Sequence, residues 1–266
     1  MNESREKDGV LKINLEKTKC DISQHLYGLF FEDINNGLDG GLYGELIKNG
    51  SFEFEDNMEA WNEIKLGVGE VKLTAENSLN EINPNHISIS CETGSVGIAN
   101  GGFGGILLKK DEEYRVSFYG KNYANETIEI TLLNENGQIC FTETVNLSND
   151  WKKHEFVKVS KENSVNGVIK VMLSVKGKID VDFISVFPVD TFCRRENGFR
   201  KDLAQTLADI KPSFFRFPGG CIVEGKSMDN AYLWKPTIGD LTERRGNQNL
   251  WGYHQSFGTG YHEYLQ

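Results

Sequence analysis

Two carboxylates at the end of an apolar segment are the first residues that could do chemistry. Residues 26–31, LYGLFF, have the pattern of a buried strand, and Glu32 and Asp33 follow them directly. A carboxylate accepts hydrogen bonds from ligand hydroxyl groups and can also act as a general acid or base. Asp33 is expected to bond the backbone of the turn. Glu32 is therefore the candidate for a ligand contact, with a solvent-facing residue after a strand as its ordinary alternative.

A second apolar segment ends in residues of similar interest. Arg216 lies within the predicted strand 213–217, SFFRF, where a guanidinium can fix the charge of neighbouring carboxylates. The glycines Gly219 and Gly220 follow, and they allow the backbone to turn tightly beside a ligand. Cys221 comes next, although a cysteine is by default a small buried hydrophobic residue.

The flanking parts of the chain carry the patterns of helices and strands that would hold these residues. They predict, in chain order, a strand at 10–16 (VLKINLE), the strand at 26–31, a short helix at 41–49 (GLYGELIKN), a helix within 198–212, the strand at 213–217 and the beginning of a helix at 260–266.

The middle of the chain, residues 51–187, has a different pattern. Short alternating runs such as YRVSFYG and VIKVMLSV are separated by turn formers such as NPN and NENG. This spacing is typical of an antiparallel sandwich, here of roughly eight strands without a helix.

The order of these patterns predicts a multidomain chain of the α/β plus all-β class. Residues 1–50 and 188–266 are predicted to be the front part of a (β/α)8 barrel, which the antiparallel β-sandwich of residues 51–187 interrupts. Two parallel strands do not make a sheet with two buried faces, so the α/β part is expected to belong to a longer enzyme. In such a barrel the active site lies at the carboxyl ends of the strands, where Glu32 and the residues after 217 would meet.

Composition and charge exclude several classes of function. The net charge of -10, a pI near 5.1 and the lack of a Lys/Arg run argue against nucleic acid or an anionic membrane as partner, whereas a neutral ligand such as a sugar fits. The polar start MNESREKDG lacks the apolar core of a signal peptide, so a cytoplasmic location is expected. Five scattered cysteines without a CxxC pair indicate reduced thiols and no zinc site. No metal or other cofactor is predicted.

Three motifs resemble the α-L-arabinofuranosidases of glycoside hydrolase family 51. The first is the stretch 26–53, with LYGLFFEDIN followed by GGLYGELIKNGSFE. The second is 197–225, NGFRKDLAQTLADIKPSFFRFPGGCIVEG, and the third is 234–266, WKPTIGDLTERRGNQNLWGYHQSFGTGYHEYLQ. The larger members carry a carbohydrate-binding-like, galactose-binding-type sandwich between the first two motifs. The resemblance thus covers nearly the whole chain.

The resemblance implies roles for four residues. Glu32 matches a carboxylate that grips arabinofuranose hydroxyls, Cys221 lines the same pocket, and Trp251 matches a loop tryptophan that packs against bound sugar. Arg216 resembles a buried, site-supporting arginine that organises carboxylates in the cleft. For Trp251, an anchor packed under neighbouring chain is a nearly equal alternative.

The resemblance also implies that the chain carries no catalytic residue of its own. Family members are retaining glycosidases whose two glutamates, one acid/base and one nucleophile, lie about 5 Å apart on later barrel strands. The motif WNE at 61–63 mimics the Asn-Glu of the acid/base, but it lies at the start of the predicted sandwich and is interpreted as coincidence. GGFGG at 101–105 has no following helix or Lys-Ser/Thr, so it predicts a turn and not a phosphate loop.

The implied function is that of an N-terminal fragment of an exo-acting α-L-arabinofuranosidase, which releases terminal arabinofuranose from arabinan, arabinoxylan or their oligosaccharides. A homo-oligomer, commonly a hexamer in the family, is implied for the full-length enzyme. The alternative is a non-catalytic, sugar-binding sandwich protein. Its aromatic residues are expected to serve mainly in the core: Trp61, Trp151, Tyr114, Tyr119 and Tyr123. Similar sandwiches hold calcium near the NGSFE and Asp182 positions, but the metal site is left empty in this prediction.

Overall fold

Most of the described chain is an antiparallel β-sandwich. The computed structural model describes residues 10–17 and 20–265. A two-residue strand, β1 (Leu29–Phe30), comes first, and eleven sandwich strands follow: β2 (Trp61–Lys65), β3 (Val68–Thr74), β4 (His86–Thr93), β5 (Val96–Asn100), β6 (Ile106–Leu108), β7 (Glu113–Asn122), β8 (Thr127–Leu133), β9 (Ile139–Asn146), β10 (Lys152–Val159), β11 (Ser164–Leu173) and β12 (Gly177–Pro188).

The sandwich strands form two sheets. One has the order β10-β7-β12-β4-β3, and the other has the order β2-β5-β11-β8-β9, with β6 beside β11. Every pairing in both sheets is antiparallel. The predicted sandwich is therefore confirmed, but the expected strand number of about eight is too low. Strands as short as the three residues of β6 leave no clear alternation in the sequence.

The core of the sandwich lies between the two sheets. Successive side chains of a strand point to opposite faces, so in β7 Val116 and Phe118 are buried in the core while Arg115, Ser117 and Tyr119 lie on the outer face. Isoleucines and valines from both sheets fill the rest of this core. Each such side chain contributes roughly 1.5–3 kcal/mol when it is removed from water.

The remaining elements form a smaller unit around two parallel strands. After β12 come α1 (Lys201–Asp209), β13 (Phe215–Arg216), α2 (Cys221–Glu224), β14 (Asn247–Gln248), β15 (His254–Gln255) and α3 (Tyr261–Tyr264), with single 3-10 turns at Phe192–Arg194, Lys235–Thr237 and Leu241–Glu243. β1 pairs in parallel with β13, and α1 lies in the connection between them. A buried cluster of Leu38, Leu42, Ala204 and Tyr264 holds this unit together. Two parallel strands do not establish a barrel, so the (β/α)8 barrel stays a prediction.

Two of the predicted elements are wrong. Residues 10–16 form no strand, and apolar side chains such as Leu15 are exposed, because no described strand pairs with this segment. Residues 41–49 form no helix. The backbone angles of Gly40 and Gly41 are not helical. The Leu46 N–H donates to the Val186 carbonyl of β12 and not to a carbonyl in the preceding turn, as it would in a helix. The polar segment 1–9, interpreted above as lacking a signal peptide, lies outside the described residues.

None of the helices that the structure describes is long and apolar enough to cross a membrane.

The segment before residue 51 also contributes to the sandwich, and this gives a testable prediction. Ile47 is buried in the sandwich core, and the Trp61 indole donates to the Asn49 carbonyl at 2.8 Å. A fragment of residues 44–188 is therefore expected to be more stable than one of residues 51–188 by at least ~1.5 kcal/mol, the contribution of one buried isoleucine. Thermal unfolding of the two fragments checks this, and equal midpoints would show that residues 44–50 contribute nothing.

Candidate functional site

Glu32 lies two residues beyond β1 and binds the loop after β13. Its Oε1 accepts hydrogen bonds from the N–H groups of Gly220 and Ile222, each at 3.0 Å. Gly219, with φ 151°, passes so close that an added Cβ would lie 2.6 Å from the Glu32 Cγ. Only glycine therefore fits there, and the carboxylate fixes the turn that leads from β13 into α2.

Cys221 lies next to Glu32, because it is the residue between Gly220 and Ile222, whose N–H groups Glu32 binds. It is the first residue of α2, and its side chain is exposed. Trp251 is also partly exposed and lies in the turn between β14 and β15, where Asn249 Oδ1 accepts from its backbone N–H. Asn249 also donates to the Asp33 carbonyl at 3.1 Å, which joins the tryptophan turn to the end of β1.

Arg216 differs from the buried arginine that the sequence motif implied. Its side chain is exposed, and its guanidinium lies over the ring of Phe30, 4.5 Å from the centroid. Among the described residues it forms no ion pair with a carboxylate. The outward face of the β1–β13 pair carries both side chains, so they stack on each other as a cation and an aromatic ring.

Two buried carboxyl groups lie behind this edge, and the sequence indicated only one of them. Asp33 Oδ1 accepts from the Leu38 N–H at 3.0 Å, which confirms the expected local backbone bond. Asp39 accepts from both the N–H and the hydroxyl of Ser256, at 2.7 and 2.9 Å. Burial raises the pKa of both groups, and the nearby Asp33 charge helps to bring the pKa of Asp39 to about 7.

Glu45 is a third enclosed carboxyl group. Its oxygens accept hydrogen bonds from the backbone of Ile47 and Val186 and from the Ser185 hydroxyl. Part of the Glu45 residue is exposed to solvent, but its carboxylate is enclosed by protein. Burial therefore raises the pKa of Glu45 to about 7. Sequence reasoning missed Asp39 and Glu45, because their partners are residues 256, 185 and 186, far away in the chain.

These raised pKa values predict a fall in stability with rising pH. The acids start from ordinary pKa values of 4.5 for Glu45 and 3.8 for Asp39. At these two groups the folded state therefore binds more protons than the unfolded state, and the stabilisation that they contribute is complete below about pH 4 and lost as pH rises through 7. We expect the free energy of unfolding to be at least ~1 kcal/mol lower at pH 8 than at pH 5. Urea unfolding measures it, and the double variant Glu45→Gln/Asp39→Asn should flatten the dependence. A double variant with the same pH dependence as the parent would contradict the assignment.

A buried ion pair holds the last part of the chain in place. Arg244 Nη2 lies 2.9 Å from Glu263 Oε1, and both side chains are almost fully buried. The same guanidinium donates to the carbonyls of Gly239, Phe257 and Gly258. These bonds attach the loop that contains Trp251 to the beginning of α3.

Two family models match separate parts of the chain. The carbohydrate binding domain model matches residues 44–175. A second model, described as the alpha-L-arabinofuranosidase 1 domain, matches residues 206–266.

Individual relatives match the chain along most of its length. The chain is 35% identical to an extracellular exo-alpha-L-arabinofuranosidase of Streptomyces chartreusis, over 92% of the chain and 31% of the relative, and 33% identical to alpha-L-arabinofuranosidase 1 of Arabidopsis thaliana, over 92% and 38%. A solved arabinose-bound GH51 α-L-arabinofuranosidase superposes with a TM-score of 0.86 at 29% identity, over 94% of the chain and 43% of that structure. The chain is therefore a relative of the α-L-arabinofuranosidases along nine-tenths of its length, as its motifs predicted. It spans about a third to two-fifths of those curated relatives.

Proposed function

We propose that the chain forms part of a retaining, exo-acting α-L-arabinofuranosidase that releases terminal arabinofuranose from arabinan, arabinoxylan or their oligosaccharides. Homology to named α-L-arabinofuranosidases on both sides of the sandwich supports this proposal. The observation that carries it is Glu32, which lies at the carboxyl end of a parallel strand and orders the glycine turn beside Cys221. β1 and β13 are, in this proposal, the first two strands of a (β/α)8 barrel.

Glu32 is proposed to contact the sugar through its second oxygen. Oε1 is engaged by the two backbone amides, whereas Oε2 has no hydrogen-bond partner within the described residues. A carboxylate oxygen held in this way can accept hydrogen bonds from vicinal sugar hydroxyl groups. Cys221 and Trp251 would then contribute apolar surface to the same subsite, since an indole covers the C–H face of a sugar ring.

The alternative, a non-catalytic sugar-binding sandwich, is less well supported. It accounts for the carbohydrate binding domain match at residues 44–175 but not for the homology of residues 206–266. This alternative also does not explain the glycine turn at residues 219–220 or its contact with Glu32.

The substitution Glu32→Gln tests the proposal in the complete product of the gene. Glutamine keeps an oxygen that can accept from Gly220 and Ile222, so only the second carboxylate oxygen and the charge are lost. We expect kcat/KM for a chromogenic α-L-arabinofuranoside to fall at least ~10-fold, the scale of a lost charged hydrogen bond, with the thermal midpoint nearly unchanged. Glu32→Ala, which also frees the two amides, should in addition lower the midpoint. Unchanged kinetics in Glu32→Gln would sink the assignment.

A further inference from the structure

A cavity of about 330 Å³ lies between the sandwich and the smaller unit. One wall is the outer face of the five-stranded sheet, with Ser117 of β7 and Phe183 of β12. The opposite wall comes from the segments around Glu45 and His254. Glu32, Cys221 and Trp251 do not line this cavity, although the buried Asp39 behind them does. The cavity is therefore distinct from the position of the Glu32 carboxylate.

Contacts between the two units restrict what this face of the sheet can bind. Asn83 Nδ2 donates to the carbonyls of Thr242 and Arg244 at 2.8 and 3.1 Å, and Asn80 Nδ2 donates to the Thr242 carbonyl at 3.0 Å. The loop around Thr242 is thereby tied to the connection between β3 and β4, and its residues line the cavity beside the sheet, which reduces the space there for an extended polysaccharide. The remaining volume is at the lower end of the range for ligand pockets, roughly 300–1,000 Å³, and suits a small molecule.

Hydroxyl groups in the cavity wall are available to a ligand. Ser51, Ser117 and Tyr119 line the cavity, and in the described parts of the chain their hydroxyls have no protein hydrogen-bond partner. Each hydroxyl both donates and accepts, as a polyhydroxy ligand requires. Tyr119 was expected to be a core residue, but it lies on the outer face of β7, and its ring meets Phe183 edge-on at 6.2 Å.

Aromatic rings supply the apolar part of the wall. Phe54 lies against His254, with ring centroids 4.0 Å apart, and Phe103 of the glycine-rich turn lines the cavity as well. Burial lowers the pKa of His254 to about 4, so its ring is neutral at neutral pH. Rings of this kind pack against the C–H faces of a sugar.

The charged groups of the wall are already paired with protein. Lys153 lies 3.1 Å from Glu155, and Arg115 lies 3.7 Å from Glu196. The Glu45 carboxylate is bound by its own wall. A charged ligand would compete with these partners for the charged groups, whereas a neutral ligand would not.

We propose that this cavity binds one neutral sugar of one or two rings, at a site separate from the Glu32 end of β1. The combination of unpaired hydroxyls, neutral aromatic rings and satisfied charges selects for a polyhydroxy molecule. The volume of about 330 Å³ limits its length. The sandwich would then help to bind a small sugar at the junction of the two units, and it would not bind polysaccharide along its surface.

Titration of the 266-residue chain with L-arabinose and with an arabinose disaccharide, by calorimetry or ligand-observed NMR, tests this proposal. Ser117→Phe places a ring in the cavity, and it should weaken binding at least ~10-fold. The matched control is Ser90→Phe on β4, a half-buried serine that does not line the cavity, and it should bind as the parent does. Tyr119→Phe, which removes only a hydroxyl, should weaken binding a few-fold and serves if Ser117→Phe fails to fold.

Two further outcomes decide the location. Binding that survives in Glu32→Gln supports the cavity, whereas binding lost in that variant places the sugar at the end of β1 and overturns the proposal. Absence of sugar binding to the parent chain, or equal loss in the Ser117→Phe and Ser90→Phe variants, also overturns it. These results are independent of hydrolysis, so they are separate from the test of the proposed activity.

Discussion

Replacing Arg244 with methionine is expected to lower the free energy of unfolding by about 3–5 kcal/mol, the cost of leaving one member of a buried ion pair without its partner. The guanidinium binds the Glu263 carboxylate and also three backbone carbonyls. Although burial alone would raise the pKa of Glu263, the hydrogen bonds and charge of Arg244 hold it below its usual range. Methionine fills similar space but supplies no donors. Glu263 would keep the N–H of Gly260 and the amide of Asn197 but lose its cationic partner. The carbonyls of Gly239 and Phe257 would lose their side-chain donor.

Arg115→Met is the matched control for this prediction. Arg115 also pairs with a glutamate, but Glu196 is largely exposed and their distance is 3.7 Å. An exposed pair contributes only about 0–1 kcal/mol, so this variant should lose little stability. Urea unfolding of the parent and both variants measures the difference. If Arg244→Met lost no more than Arg115→Met, the network around Arg244 would not hold the loop from Gly239 to Gly258.

The sandwich could be predicted because its signal is local. Alternation within β7 and β11 reports directly which side chains face the core, and Gly137 and its neighbours mark the turn between β8 and β9. The failure at residues 41–49 has the opposite cause. There the backbone pairs with β12 and the Glu45 carboxylate binds Val186, and no local pattern reports such distant partners.

The candidate site divides in the same way. Glu32 was recognisable because a carboxylate after an apolar strand is unusual by itself and because its motif resembles a family. The use of its Oε1 to hold Gly220 and Ile222 was not visible, since these amides are 188 and 190 residues away. Arg244 and Glu263 carried no sequence signal either. Nothing in GDLTERRGN or GYHEYLQ distinguishes a buried ion pair from solvated charges.

We expect the 266-residue chain alone to hydrolyse no arabinofuranoside. Retaining hydrolysis needs one carboxyl group to attack the anomeric carbon and another to protonate the leaving oxygen, about 5 Å apart across an accessible bond. Asp33 and Asp39 are close enough to interact, but both are buried and bound to protein donors. Glu32 is accessible, yet one oxygen is already bound to the glycine turn. Within the described residues we therefore expect a sugar contact at Glu32 but no pair of carboxyl groups arranged for this reaction.

The assay compares the purified chain with the complete gene product on a chromogenic α-L-arabinofuranoside. Glu63 of the WNE motif provides the critical variant, because its motif mimics that of an acid/base. In the structure Glu63 is exposed on β2, an edge strand of the six-stranded sheet, and it pairs with Lys65 at 2.6 Å. An exposed carboxylate paired with a neighbouring lysine lacks the enclosed surroundings that a general acid uses to hold its proton at neutral pH. Turnover by the 266-residue chain that disappears in Glu63→Gln would show that this motif is catalytic and that the interpretation of WNE as coincidence is wrong.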